Sequence, residues 1–185
     1  VKFNQIYTKI LNEFKENNVV FVNEKEINLQ QNLEVRKYFK EEIVNTIFPL
    51  ILDNKRAFPF LRDNTVYLAC KLTNTFTKDF KYALIPLPTK VKRRFYQLPK
   101  MGGVTYMMFI DDVIRCNLDV VFSSFDYNHY EAYTIKLTRD AEIDIESDVT
   151  TDMLDKLKNS LKQRKKGQPV RMIYDQHMPK DLLAF

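Results

Sequence analysis

The sequence predicts an α+β fold, with a mixed and largely antiparallel sheet covered by helices, on three observations. Segments with an extended period outnumber helical ones. Several of them follow one another with no helix between. The stretch AYTIKLTRDAEIDI, residues 132–145, alternates apolar and polar almost throughout. A chain of 185 residues, 45% hydrophobic and 29% charged, is long enough for one core and too short for two to be assumed.

The elements follow from the start of the chain. FNQIYTKILNEF sets Phe3, Ile6, Tyr7, Ile10, Leu11 and Phe14 at the spacing of an amphipathic helix, which is expected to pack one wide face. VVFV at 19–22 reads as a short strand. Asn28 has the chemistry of an N-cap, and the helix after it carries Leu29, Leu33, Tyr38, Phe39, Ile43 and Ile47 inward before Pro49 ends it. The period then becomes extended. Strands are predicted at 66–72, 82–87, 94–98 and 104–110, with Pro86 and Pro88 placing the second at a sheet edge and Gly102–Gly103 acting as a hinge before the fourth. Asp111 and Asp112 open a helix, DDVIRCNLDVVF, whose inner side is Ile114, Leu118, Val121 and Phe122. The long strand at 132–145 comes next. A helix from about Thr151 through Leu154, Leu157 and Leu161 stops at Gly167 and Pro169, and VRMIYD closes as a strand. The most plausible seam falls near residues 24–28, with the first helix on the side of a neighbouring unit.

Several kinds of chemistry are excluded. No apolar run approaches the ~20 residues that cross a bilayer, and none behind a basic start resembles a signal peptide, so the protein is expected to be soluble and intracellular. Three glycines leave no phosphate-cradling loop. Cys70 and Cys116 lie in separate apolar runs with no thiol or histidine at metal spacing, and read as reduced, buried packing residues. His129 and His177 have no partner at a triad spacing and read as exposed loop residues. The acid pairs Asp111/Asp112 and Asp148/Asp152 read as helix starts, where the dipole favours negative charge. No catalytic residue and no metal site is nominated.

The formal charge of +5 is partly clustered, in Lys90, Lys92, Arg93 and Arg94 and in Lys162, Arg164, Lys165 and Lys166. The second cluster ends a predicted helix, where the macrodipole stabilises each cation by ~0.3–1 kcal/mol. The first lies between strands, either as a solvated loop or as a polyanion contact. The 14 Phe and 10 Tyr follow core faces rather than basic stripes, so base-stacking surfaces for nucleic acid are not expected. Arg139 is the anomaly: it falls on the apolar face of residues 132–145 with Tyr133, Ile135 and Leu137. An unpaired buried guanidinium is too costly to keep. It therefore sits at the wet end of the strand, is rotated outward by a bulge, or is paired within the domain or across a contact.

AFPFLRDNTVYLA (57–69), RFYQLP (94–99), FIDDVIRCNLDVVF (109–122), AYTIKLTRDAEIDI and LKQRKKGQPVRMIYDQHMP (161–179), in this order, resemble the middle, or head, domain of bacterial polyphosphate kinase of the first type. The resemblance runs from about residue 19 onward. It implies a division into residues 1–23, the end of a helical N-terminal domain or its junction, and 24–185, the middle domain. It also implies a parent enzyme that reversibly transfers the terminal phosphate of ATP to inorganic polyphosphate through a phosphohistidine. In that family the histidine, the magnesium site and most of the polyphosphate channel belong to two C-terminal domains of phospholipase D-like fold, beyond this resemblance. No position here matches the catalytic histidine motif, so no such role passes to His129 or His177. ATP and magnesium are then cofactors of the parent, with none in this part. The implied partners are the remaining domains, a second copy in a homo-oligomer, and polyphosphate; the implied location is the cytoplasm or the membrane periphery. Within that frame Arg139, with Asp140 beside it, is expected to anchor the domain to a neighbouring domain or subunit through a carboxylate. The competing reading is a free-standing basic module that binds nucleic acid or another polyanion.

Overall fold

The computed structural model of the chain describes residues 2–53, 57–139 and 169–185. Its first helix, α1 (Lys2–Glu16), ends where Asn17 and Asn18 close the last turn, Asn18 in the left-handed conformation (φ 58°) that asparagine tolerates best after glycine. The amphipathic period is real, but the wide face is not packed. No residue of α1 is buried, and Phe3 is 76% exposed. The helix meets the rest of the described residues at its C-terminal end, where the Phe14 ring lies 5.4 Å from that of Phe21 in β1 (Val19–Phe21).

Asn28 caps α2 (Leu29–Tyr38) as predicted, through a reciprocal pair: the Gln31 N–H donates to its Oδ1 at 2.9 Å, and its own N–H donates to Gln31 Oε1 at 3.0 Å. The inner face differs from the expected one. The buried stripe is Gln31, Val35, Phe39, Ile43 and Ile47, while Leu29 and Leu33 are 80% and 55% exposed. Steps of four residues drift around an α-helix by about 40° each, and the helix takes up that drift by widening into a π turn over Phe39–Ile43, followed by a 3₁₀ turn over Val44–Thr46. Gln31 lies on the buried side because its carboxamide oxygen is used in the cap.

Among the described residues two sheets form where one was expected. The larger has five antiparallel strands in the order β2-β4-β3-β7-β8: β2 (Leu50–Leu52), β3 (Val66–Thr73), β4 (Phe80–Pro86), β7 (His129–Arg139) and β8 (Pro169–Tyr174). The smaller has the order β1-β6-β5, with β5 (Phe95–Gln97) antiparallel and β1 parallel to β6 (Thr105–Phe109). β4 is not an edge strand, because the unforeseen β2 pairs with its residues 82–84. Pro86 is tolerated all the same. The Leu87 N–H donates to Val66 O, so the adjacent Tyr67/Pro86 pair is a non-hydrogen-bonded one, and the missing donor faces away from β3, beyond the end of β2. Gly102 and Gly103 form no hinge: with φ of 58° and 80° they make the tight turn between β5 and β6, closed by hydrogen bonds exchanged between Met101 and Val104.

The predicted helix at 111–122 is two pieces, α3 (Ile110–Arg115) and α4 (Leu118–Val121). Fully buried Asn117 separates them, its side-chain amide donating to Val113 O at 2.8 Å in competition with the helical ladder. β7 starts earlier than expected, so His129 opens a strand instead of lying in a loop, though it stays exposed. Residues 140–145 of the predicted strand, the helix at 151–161 and Asp148/Asp152 lie outside the described residues. A short unforeseen helix, α5 (Lys180–Ala184), follows β8.

One core lies between the sheets and the helices, gathering Val35, Phe39 and Ile43 with Leu68, Leu72 and Ile85 of the large sheet and Met108, Ile114 and Phe122. The opposite face of the large sheet buries Tyr67, Ala69, Leu84 and Ile135 beneath Leu61, Met178 and Leu182. β7 lends Tyr133, Ile135 and Leu137 to this second layer and, at its start, Tyr130 and Ala132 to the first.

Candidate functional site

Arg139 ends β7 on the face predicted, in line with Ile135 of the second core. The ladder shifts register between Thr138, opposite Arg171, and Arg139, opposite Pro169. The guanidinium is half-buried beneath the segment before β3: Nε donates to Leu61 O at 2.9 Å, and the group stands 4.1 Å from the Phe60 ring centre. The Arg139 N–H donates to Asp63 Oδ1 at 2.9 Å. The register shift does not turn the side chain away from the predicted face, and the guanidinium is held there by a backbone carbonyl and an aromatic ring. Asp140 lies outside the described residues.

The basic stretch at 90–94 divides by alternation. Lys90 and Arg93 are exposed, whereas Lys92 pairs with Glu42 at 2.7 Å and Arg94 pairs with Asp111 at 3.2 Å while covering the Phe109 ring. A cavity of about 590 Å³ beside this loop is lined by Tyr38, Tyr96, Lys92 and Arg93, with the two tyrosine rings stacked at 3.9 Å. Lys162, Arg164, Lys165 and Lys166 lie outside the described residues.

A buried charge cluster was missed. Asp111 and Asp112 do begin a helix, as predicted, and they are only 7% and 8% exposed. Arg115, one turn on, grips Asp112 and lies 3.9 Å from Asp111; its Nε donates to Ala132 O at 3.0 Å and its Nη2 to Thr134 Oγ1 at 2.5 Å. Thr134 in turn donates to Asp111 at 3.3 Å. Asp111, Asp112 and Arg115 of α3, with Arg94 just before β5, thus meet Ala132 O and the Thr134 hydroxyl of β7 and join the small sheet to the large one. The signal in the sequence was the spacing of Asp111 and Asp112 from Arg115, three and four residues apart on a helix.

Burial pushes the Asp112 carboxyl up to about 7; Arg115 opposes the rise, and Asp111 and Glu24 add to it. An unfolded aspartate titrates near ~3.9. Between those values the folded state binds more protons than the unfolded chain, so this group's contribution makes stability fall as pH rises through the window. Asp112→Asn is expected to flatten the fall in urea-unfolding free energy between roughly pH 4 and 7; an unchanged slope would exclude Asp112 as its source.

The cysteines are free, Cys70 buried and Cys116 half-buried, and burial pushes both thiols up, Cys116 to about 12. His177 is exposed in the turn after β8, with Nδ1 3.2 Å from Asp175 Oδ1. Among the described residues no group of three or more His, Cys, Asp or Glu is placed to hold a metal ion, and no helix is long and apolar enough to cross a membrane.

The fold and these sites define an α+β domain with a charge-clasped interior and with cations and apolar side chains turned outward. The family profile described as polyphosphate kinase middle domain matches residues 30–185. The chain belongs to the polyphosphate kinase family, as its middle domain. It is 34% identical over 187 residues to a polyphosphate kinase of Vibrio cholerae serotype O1, covering 99% of this chain and 26% of that protein. The corresponding figures for the polyphosphate kinase of Escherichia coli strain K12 are 32%, 98% and 27%. The crystal structure of polyphosphate kinase from Porphyromonas gingivalis superposes with a TM-score of 0.75 at 28% identity, over 98% of this chain and 25% of that one. The chain spans about a quarter of the length of the relatives it matches.

Proposed function

We infer that this chain serves as the middle domain of a phosphotransferase that reversibly moves the terminal phosphate of ATP onto inorganic polyphosphate. One observation carries the reading: likeness to proteins named polyphosphate kinase runs through 98% to 100% of the chain. In this reading the phosphohistidine, ATP and magnesium belong to other domains of the parent, which works in the cytoplasm or at the membrane periphery, and the task here is assembly within a homo-oligomer. The unpacked face of α1 and a family match that begins at residue 30 support residues 1–23 as the end of a helical N-terminal domain or its junction, with 24–185 as the middle domain. Arg139 and Asp140 anchor the domain to a neighbour through a carboxylate. The exposed Phe60 ring beside the guanidinium supports a contact there. Lys90 and Arg93, which make no ion pair among the described residues, guide the polyanion electrostatically, with Lys92 and Arg94 held back by carboxylates and Lys162, Arg164, Lys165 and Lys166 of the same sign. A free-standing nucleic-acid module is not favoured, because the likeness to kinases extends along the whole chain.

In the full-length protein, ATP and magnesium ions are expected to yield long polyphosphate, residues 1–185 alone to yield none, and Arg139→Ala to weaken self-association and turnover together. Polyphosphate made by residues 1–185, or phosphate trapped on His129 or His177, would overturn the reading; unchanged association and turnover in the variant would remove the anchor.

A further inference from the structure

β7 and β8 leave part of one sheet face open. Lys136 stands opposite Ile173 and Thr138 opposite Arg171. Because side chains alternate along a strand, Thr134, Lys136 and Thr138 share a face with Arg171 and Ile173. Lys136 and Arg171 are therefore diagonal neighbours on adjacent strands, roughly 7–8 Å apart. Lys136 is half-buried and Arg171 exposed.

Two cations so placed repel each other, and nothing among the described residues offsets them. Elsewhere the fold treats such groups differently. Arg94 has Asp111, Arg115 has Asp112, and on the opposite face of the sheet Lys71 has Asp181. Lys136 and Arg171 form no ion pair among the described residues, and Asp111, which reaches Thr134 two positions along the strand, is already shared by Arg94 and Arg115. The approach is open: among the described residues β8 is the edge strand, and each of its residues is exposed.

We propose that this face binds a phosphate chain through Lys136, Arg171 and Thr138. A guanidinium offers a two-point contact to phosphoryl oxygens, an ammonium offers a compact charge, and a threonine hydroxyl offers a neutral donor. The ligand is a linear polyphosphate or the triphosphate of a nucleotide. Only that choice of ligand rests on the function inferred above; the pair of neighbouring cations stands without it.

The test is calorimetric titration of the full-length protein with linear polyphosphate and, separately, with ATP. Lys136→Gln with Arg171→Gln is expected to weaken binding about tenfold for each cation removed, the scale of one charge-assisted hydrogen bond. Lys136→Arg with Arg171→Lys is expected to keep the affinity within about threefold, since both charges remain. Loss with polyphosphate alone assigns the inorganic chain, and loss that includes ATP assigns a nucleotide triphosphate. Should the doubly substituted protein not fold, the exposed Arg171→Gln alone is expected to show the tenfold loss. Folded glutamine variants that bind both ligands as tightly as the unaltered protein overturn the site, as does an unaltered protein that binds neither. Anion binding without polyphosphate synthesis sinks the functional reading and leaves this site standing; synthesis with undiminished binding in the variants sinks this site alone.

Discussion

Arg115→Leu is expected to cost about 3–5 kcal/mol of folding stability, the range for removing one partner of a buried ion pair. The side chain is 14% exposed and serves two elements at once: its own helix through Asp112 and Asp111, and β7 through Ala132 O and Thr134. Leucine keeps much of the volume but leaves Asp112 in a site already hostile to charge. The loss should appear as a lower urea midpoint, and it should shrink at mildly acidic pH, where Asp112 takes up a proton. Adding Asp112→Leu is expected to recover most of the loss, because replacing both members of a buried pair by apolar groups is often close to neutral. A single variant within about 0.5 kcal/mol of the parent would show that solvent reaches the cluster.

Phe39→Ala is expected to cost about 3–5 kcal/mol through a lost ring and the cavity it leaves. Phe39 is fully buried at the point where α2 widens into its π turn, so the void would open beneath a backbone already departing from the regular ladder. Leu29→Ala and Leu33→Ala, on the same helix, are expected to fall within about 0.5 kcal/mol of the parent. The contrast is the measurement: urea unfolding of the three variants tells which stripe faces the sheet, and three equal costs would contradict the packing described.

The same helix shows what could be read from one dimension. Its cap was legible because Asn28 and Gln31 are three residues apart and their exchange is local. Its buried stripe was not, because Leu29 and Leu33 satisfy the period as well as Val35 and Phe39 do, and only the sheet beneath decides between them. Strands β3, β4, β5 and β6 were legible from alternation, whereas the split into two sheets depends on β1 meeting β6, a pairing between distant segments that no local pattern encodes. For the sites, the register of β7 placed Arg139 on the correct face. The burial of Asp111 and Asp112 was hidden because acidic residues at a helix start look alike whether water or an arginine surrounds them. The adjacency of Lys136 and Arg171 needs the β7–β8 register, which alternation within either strand cannot supply.

The parallel pairing of β1 with β6 also orders events in time. Val19 can find Thr105 only after the chain between them has folded enough to present the β5–β6 ribbon, so this contact closes a long loop and belongs late in folding. Three residues of ladder and the contacts of the Phe21 ring with Phe95 and Phe109 then help hold the leading segment in place. That segment is the first expected to exchange its amide hydrogens, detaching as a unit while the five-stranded sheet keeps its protection.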